Sequence, residues 1–412
     1  MASTCPAIEH VSWNLTRRCN LACGHCYLDA SARADRAGEL TTAEALRIVD
    51  EIAAVNPETM IVFSGGEPMI REDLPLLIER AAGHGMMTLL GSNGTMLAAA
   101  DARRLRACGL RGAGISLDSL DPERHDRFRG LAGAWRRSVD ALEACREAGV
   151  ETQVQMTVTA ANLHELDAMA VFAREEGARV FVVFFLVCTG RGQQMVDIDS
   201  EAYERALRRI VELSRGNSRR FMVRPRCAPH FRRVLYEREP ASPLLLTDAG
   251  RCLAGRTYCR ITPEGVVTPC PYIEVAAGDL RAAPFGEIWR DSAVLGRLRA
   301  PALSGKCGEC ALRELCGGCR ARAAAATGNL MGADPSCGYE GAARTPVRVA
   351  EPAPVEGVSW TPEAEARLRR IPGFVRGFVR RALERRAAEG GVGRIDAEFM
   401  ARARGEMDPT RR

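Results

Sequence analysis

Cys19, Cys23 and Cys26 follow one another at the spacing C-x3-C-x2-C, directly after the apolar run 11–15. Thiolates are soft ligands that suit iron–sulfur clusters or zinc. Three close thiolates can hold three irons of a [4Fe–4S] cube and leave the fourth iron open to a small chelating cosubstrate. A closed structural zinc site wants four ligands, usually as two pairs. His25 is the nearby candidate for a fourth, and its place inside the run reads as a loop position. A second set of cysteines, Cys252, Cys259, Cys270, Cys307, Cys310, Cys316, Cys319 and Cys337, includes two C-x2-C knuckles. Eight thiols serve two zinc ions or two four-iron clusters equally well, and spacing alone leaves that open.

Polar and glycine-rich motifs punctuate the segment between these two sets. Ser64-Gly65-Gly66-Glu67-Pro68 closes an apolar run, and adjacent glycines let backbone approach a ligand closely. Ser92-Asn93-Gly94 and Ser116-Leu117-Asp118-Ser119 end the next two runs, and Arg129 offers a carboxylate clamp. Cys188-Thr189-Gly190-Arg191-Gly192 ends another, and Arg226-Cys227 lies in a proline- and arginine-rich stretch. Cys188 and Arg191 are candidates for substrate contact. Cys108 and Cys145 sit inside helical patterns and read as core filler.

These motifs need elements to hold them. Apolar runs at 11–15, 59–64, 86–92, 112–118, 151–159 and 179–187 read as strands. Amphipathic patterns at 42–55, 74–84, 98–107, 135–148, 164–176 and 200–215 read as helices between and after them. Such alternation predicts an α/β fold with a parallel sheet and right-handed crossovers. Six such units resemble a partial (β/α)6 barrel, in which the chemistry sits at the C-terminal strand ends, where the first cysteine loop and the strand-end polar motifs fall. Gln153, Gln155 and Thr157 share one face of the fifth run, expected to line the barrel lumen. The segment 265–270 reads as a hairpin arm delivering Cys270.

The chain has 412 residues, which predicts two or three domains. A net charge of +5, spread along the chain, argues against dedicated nucleic-acid binding. Lys306 is the sole lysine, so Schiff-base chemistry is excluded elsewhere while arginines supply bidentate carboxylate binders. No signal peptide is visible at residues 1–10 and no apolar run is long enough to span a bilayer. Sixteen cysteines without a secretory signal indicate metal or redox chemistry in the cytoplasm rather than disulfides.

The C-x3-C-x2-C loop with Tyr27 after its last cysteine, and the Gly-Gly-Glu-Pro motif one unit later, resemble the radical S-adenosylmethionine (SAM) superfamily. The resemblance implies a partial (β/α)6 TIM-like barrel over residues 8–220. It implies a [4Fe–4S] cluster with an open iron on Cys19, Cys23 and Cys26, and SAM held by Tyr27, Gly65, Gly66, Glu67, Pro68, Ser92, Asn93, Ser116, Asp118 and Arg129. The later cysteines resemble the SPASM extension, over 221–340, which binds two auxiliary clusters. Carried over, Cys252, Cys259, Cys270 and Cys319 hold a proximal cluster, with Cys227 a substitute for Cys252. Cys307, Cys310, Cys316 and Cys337 hold a distal one. Cys316 and Cys319 are one residue closer than in the commonest SPASM pattern.

Residues 13–21, the Arg191 loop and residues 316–323 resemble SPASM enzymes of haem d1 and siroheme-dependent haem biosynthesis, nearest in flavour to the didecarboxysiroheme deacetylase. This implies an iron tetrapyrrole substrate whose acetate or propionate side chains are modified, and a reductase, ferredoxin or flavodoxin as electron donor. Arg191 and Arg226 would pair with substrate carboxylates. A proline-containing linker at 341–357 leads to a small helical domain at 358–405, which resembles that of light-independent protochlorophyllide reductase. In it Ile371-Pro372 breaks one helix before the apolar stripe Phe374, Val375, Phe378 and Val379. The alternative is a peptide-modifying SPASM maturase. A first strand starting about ten residues in counts against that alternative, because such enzymes often carry a peptide-recognition domain before the barrel.

Overall fold

A computed structural model describes residues 5–195, 197–218, 220–341, 345–349, 357–369 and 373–406. Most of the linker and the Ile371-Pro372 break lie outside the described residues, as do the side chains of Phe374, Val375 and Phe378. The main sheet begins with β1 (His10–Asn14), β2 (Met60–Ser64), β3 (Met87–Ser92), β4 (Gly112–Ser116), β5 (Glu151–Val158), β6 (Val180–Phe185) and β7 (Met222–Arg226). These seven pair in parallel, in chain order. Crossovers contain α1 (Thr42–Val55), α2 (Leu74–Gly83), α3 (Ala99–Ala107), α4 (Pro122–Arg129), α5 (Ala134–Glu147), α6 (Leu166–Glu175) and α7 (Ser200–Ser214).

The expected six strands are thus exceeded. β7 extends the sheet past β6, and β8 (Tyr258–Ile261) adds to the other side of β1, also in parallel. β9 (Val266–Thr268) and β10 (Gly278–Asp279) continue from β8 antiparallel, so the expected hairpin arm is part of the same sheet. Pro225 explains why β7 is hard to read: proline cannot donate to a ladder and is confined to edge strands, which is where β7 lies. After β7 come α8 (His230–Arg238), α9 (Phe285–Asp291), α10 (Ala293–Arg299), α11 (Gly305–Glu309) and α12 (Arg320–Thr327).

Strand alternation sorts the side chains into two faces. Val11, Trp13, Ile61, Phe63, Ala113, Ile115, Val154, Met156, Phe181, Val183 and Val223 pack with the helices in one apolar core. The opposite face lines the lumen. In-register partners place Ser12 beside Val62, Gln153 beside Val180, Gln155 beside Val182 and Val182 beside Arg224. Gln153, Gln155 and Thr157 are therefore lumen residues, half-buried between fully buried neighbours.

The C-terminal segment has its own core, in which Ala364, Leu368, Leu383, Ala387, Ile395, Phe399 and Met400 pack together. It comprises β11 (Ser359–Trp360), α13 (Pro362–Arg369), α14 (Gly373–Glu389), β12 (Arg394–Ile395) and α15 (Ala397–Glu406).

Candidate active site

The cysteine loop leaves β1 at the C-terminal mouth and is clamped from three sides. From the second strand, Gly66 N–H donates to Thr16 O at 2.8 Å and Glu67 N–H to Arg18 O at 2.8 Å. A Cβ on Gly66 would lie 2.1 Å from Arg18 O, and one on Gly65 would lie 2.8 Å from Thr16 O. The two glycines are therefore required by the approach of the cysteine loop itself, where a ligand was the expected reason. Glu67 is fully buried; its carboxylate accepts from Met69 N–H (3.1 Å), Ser92 Oγ (2.9 Å) and Asn93 N–H (2.9 Å). It joins the second mouth loop to the third as a positioning group. Pro68 opens the 3-10 turn Pro68–Ile70 that Glu67 caps. Burial pushes the Glu67 carboxyl up to about 7, against those three donors.

Asn93 donates to Asn20 Oδ1 at 3.0 Å and lies 3.8 Å from Cys19 Sγ. Burial raises the Cys19 thiol to about 12, and the neighbouring Glu67, Cys23 and Cys26 charges add to this. On the far side, α4 brings Arg129 to 3.7 Å from Cys23 Sγ. Its guanidinium pairs with Asp118 at 2.5 Å, both side chains buried. Asp118 also accepts from Thr157 N–H at 2.8 Å, and the nearby positive charge holds its carboxyl low against burial. The carboxylate that Arg129 clamps is thus Asp118. α4 is announced by Asp121, Pro122 and the left-handed Gly130, a cap–proline–glycine pattern that could have been read from the chain.

Arg191 makes the third clamp. Its Nε donates to Cys23 O at 2.9 Å, its Nη2 to Ala30 O at 3.0 Å and its backbone N–H to Cys26 O at 3.1 Å. Expected on substrate, the side chain instead staples the cysteine loop. Cys188 donates to Met195 O at 3.8 Å, and burial, with Asp197 next, raises its pKa. His25 stacks on Phe128, ring centroids 4.5 Å apart, and burial lowers its pKa to about 4. Ser116 ends β4 on the lumen face beside Gln155.

Tyr27 accepts from Asn14 Nδ2 at 2.9 Å, and its ring meets Tyr272 edge-on at 5.1 Å. Beyond it the later cysteines gather. Cys270 and Cys319 are packed with Cys227 and Cys252. Cys252, Cys319 and Cys227 act electrostatically on Cys270, and Cys252 and Cys227 act on Cys319. Cys259 is elsewhere: wholly buried in the main core, it stands on the outer face of β8 with Arg299 as its charged neighbour. This corrects the expected set, because Tyr258 and Arg260 on either side of Cys259 take the lumen face. Cys307, Cys316 and Cys337 form the other group, and Cys310 completes the first knuckle. Backbone N–H groups of Leu312, Gly318 and Asp334 donate to the sulfurs of Cys310, Cys316 and Cys307.

Residues 13–173 match the Radical SAM superfamily, 252–320 the iron–sulfur cluster-binding domain SPASM, and 360–404 the proto-chlorophyllide reductase 57 kD subunit. The AdoMet-dependent heme synthase of Methanosarcina barkeri is 37% identical over 338 residues, 80% of this chain and 96% of that one. The chain belongs to the radical SAM superfamily. The pre-heme d1 synthase of Dinoroseobacter shibae is 32% identical over 81% of this chain and 87% of its own. Streptococcus suis SuiB bound to its precursor peptide SuiA shares the fold at a TM-score of 0.65 and 16% identity, covering 81% of this chain and 76% of that one. The Fe-coproporphyrin III synthase of Methanosarcina barkeri is 31% identical over 79% of this chain and 87% of its own, so the expected group of haem-biosynthesis enzymes is the one matched.

As a radical SAM enzyme with a SPASM region, the chain uses a [4Fe–4S] cluster with SAM, and auxiliary iron–sulfur clusters. The residues fit these groups. Cys19, Cys23 and Cys26 share one small buried cluster with Leu21 and Leu28. Around them Arg129 Nε and His25 Nδ1 are buried without a hydrogen-bond partner among the described residues. Such atoms are rare in finished sites and ask for a ligand. In the extension, burial first and the neighbouring thiols next raise the Cys270 and Cys316 pKa values, and soft thiols gathered in this way suit metal. Among the described residues no three such side chains converge on a single-ion position. Thiolates bound to different irons of one cube stand further apart than ligands of a single ion.

Proposed function

We propose that this enzyme modifies the carboxylate side chains of an iron tetrapyrrole in haem-type biosynthesis, as the names of its relatives suggest. The observation that carries the reading is the lumen charge. β7 presents Arg224 and Arg226 to the lumen at period two, beside Val182 and Phe184 of β6. Both act electrostatically on His10 of β1, which burial and these charges lower to about 3, so that it is neutral. Burial, with Arg226 next, lowers Arg224 to about 10. Two guanidiniums facing each other's field in an enclosed lumen suit two carboxylates on one rigid substrate. Among the described residues no carboxylate forms an ion pair with Arg226.

Cys19, Cys23 and Cys26 would hold a four-iron cluster, which with SAM would supply one-electron radical chemistry at the mouth. This chain's residues fix that site. Glu67, Asn93 and Arg191 lock the cysteine loop, and the Asp118–Arg129 pair walls it. Val180, Val182 and Phe184 give the lumen an apolar surface that excludes water from a substrate ring. Residues 8–220, joined by β7 and β8, form the catalytic unit; 221–340 is the auxiliary-cluster region and 358–405 a helical appendage. An external donor of ferredoxin or flavodoxin type would meet a basic surface. Arg251, Arg256, Arg299, Arg313 and Arg348 line a cavity of about 820 Å³ beside Gly308 of the first knuckle. No helix among the described residues is long and apolar enough to cross a membrane, and oxygen-labile clusters suit the reducing cytoplasm.

The test is binding. Titrated anaerobically with iron coproporphyrin, the protein is expected to shift the tetrapyrrole's absorbance, and R224A/R226A to weaken binding by about 100-fold or more, some 3 kcal/mol. No binding by the unaltered protein sinks the reading.

A further inference from the structure

Three cysteines of the proximal group, Cys252, Cys270 and Cys319, come from the SPASM region, and a four-iron cluster held in the usual way needs a fourth thiolate. Cys259 is excluded by register. It pairs with Val11 and stands between Tyr258 and Arg260, which face the lumen. Reaching the other thiols would take a one-residue slip of β8, and that slip would turn both lumen side chains into the core. Arg260 could not then donate to Asn14 Oδ1, as it does at 2.5 Å.

Cys227 meets the need. It follows the last residue of β7 and packs against Cys270 and Cys319. Its backbone lies in the left-handed region, φ +58°, a conformation that side chains other than glycine rarely adopt. Two groups hold it there: Arg322 Nη2 donates to Cys227 O at 3.1 Å and Tyr203 Oη at 3.4 Å. The same Arg322 pairs with Asp334 at 3.2 Å, and Asp334 accepts from Cys319 N–H at 2.7 Å. One network therefore fixes Cys227 and Cys319 together. Tyr272 packs in the same cluster as Cys227 and touches Tyr27 of the first cysteine loop.

We propose that Cys227 supplies the fourth thiolate of the proximal auxiliary cluster, with Cys252, Cys270 and Cys319, and that Cys259 binds no iron. Each thiol releases its proton to solvent as it takes an iron. The cluster is thereby bonded to the barrel wall, one residue beyond Arg226, so that a carboxylate held by Arg226 lies beside a cluster ligand. The proposal rests on the auxiliary clusters and is independent of which substrate the lumen takes.

The experiment uses the full chain carrying C19A/C23A/C26A, so that only auxiliary iron is read. Reconstituted anaerobically, this background is expected to hold about eight irons, from two four-iron clusters. C227S should lower that to about four to seven and change the reduced electron paramagnetic resonance spectrum. C227D should keep iron with a shifted spectrum, and C259S should match the background in both. Loss of iron in C259S, or a C227D spectrum identical to the background, would overturn the proposal, and these two readings decide it if C227S does not fold. A background with no auxiliary iron would instead overturn the reading of the extension itself.

Discussion

The two thiol sites are built in opposite ways. At the barrel mouth all three cysteines come from one loop, and the effort of the fold goes into clamping that loop: Gly65–Gly66 on one side, Arg191 on another, Arg129 on a third. In the extension the thiols come from segments spread over 227–337 and are brought together by β7, β9 and the two knuckles. The first arrangement supplies fewer thiolates than a cube has irons and leaves polar atoms of Arg129 and His25 unpartnered beside it. The second supplies as many as a cube can take. On the reading proposed above, ligand number leaves an open iron at one place and closed ones at the other and so divides the labour, with SAM at the mouth and electrons in the extension. Tyr27 and Tyr272, in edge contact, are the physical join between them.

The largest effect comes from removing the mouth site. C19A/C23A/C26A is expected to abolish 5′-deoxyadenosine formation and to remove about four of about twelve irons, with circular dichroism unchanged. By contrast C307A/C337A should retain reductive SAM cleavage while losing iron from the distal group. If both variants lose cleavage equally, the division of labour is wrong.

Next is the wall of the mouth. D118A leaves Arg129 as a buried unpaired charge, which costs about 3–5 kcal/mol and should appear as a lowered denaturation midpoint and weaker SAM binding by calorimetry. Unchanged SAM affinity would make the pair purely structural.

The smallest effect is at Glu67. Its carboxyl is raised to about 7 from an ordinary value of 4.5, so the folded state holds a proton that the unfolded state has released. Stability from this group is therefore full below about pH 4.5 and is lost as pH rises through 7. E67Q mimics the neutral form with one acceptor fewer. It is expected to destabilise by about 1–3 kcal/mol at pH 5 and by less at pH 8, read from urea denaturation at both values. A gap that widens with pH would contradict the assignment.

How much of this was legible follows the same division. The mouth site could be read locally, because its ligands, its glycines and its strand-end polar residues are each contiguous in the chain. What could not be read there was the partner of each group: that Gly66 faces Arg18 O, that Arg191 binds loop carbonyls, and that Arg129 binds Asp118. Those depend on how loops from different strands meet. In the extension, knuckle spacing was informative for Cys307, Cys310, Cys316 and Cys319, whereas Cys259 was carried over from the SPASM resemblance. Its true environment is set by strand alternation and by the pairing of β8 with β1, which spacing does not encode. β7 was hidden by Pro225 and its arginines, a composition that reads as loop until a sheet edge accepts it.

The measurement that tests the central claim most directly is turnover. Anaerobically reconstituted protein, SAM and a one-electron reductant are incubated with and without an iron tetrapyrrole bearing acetate or propionate side chains. Products are then followed by mass spectrometry. The account predicts that 5′-deoxyadenosine forms faster with the tetrapyrrole, and that the tetrapyrrole changes mass at its carboxylate side chains in step with it. Deoxyadenosine formation indifferent to every such tetrapyrrole, with the tetrapyrrole unchanged, would contradict it.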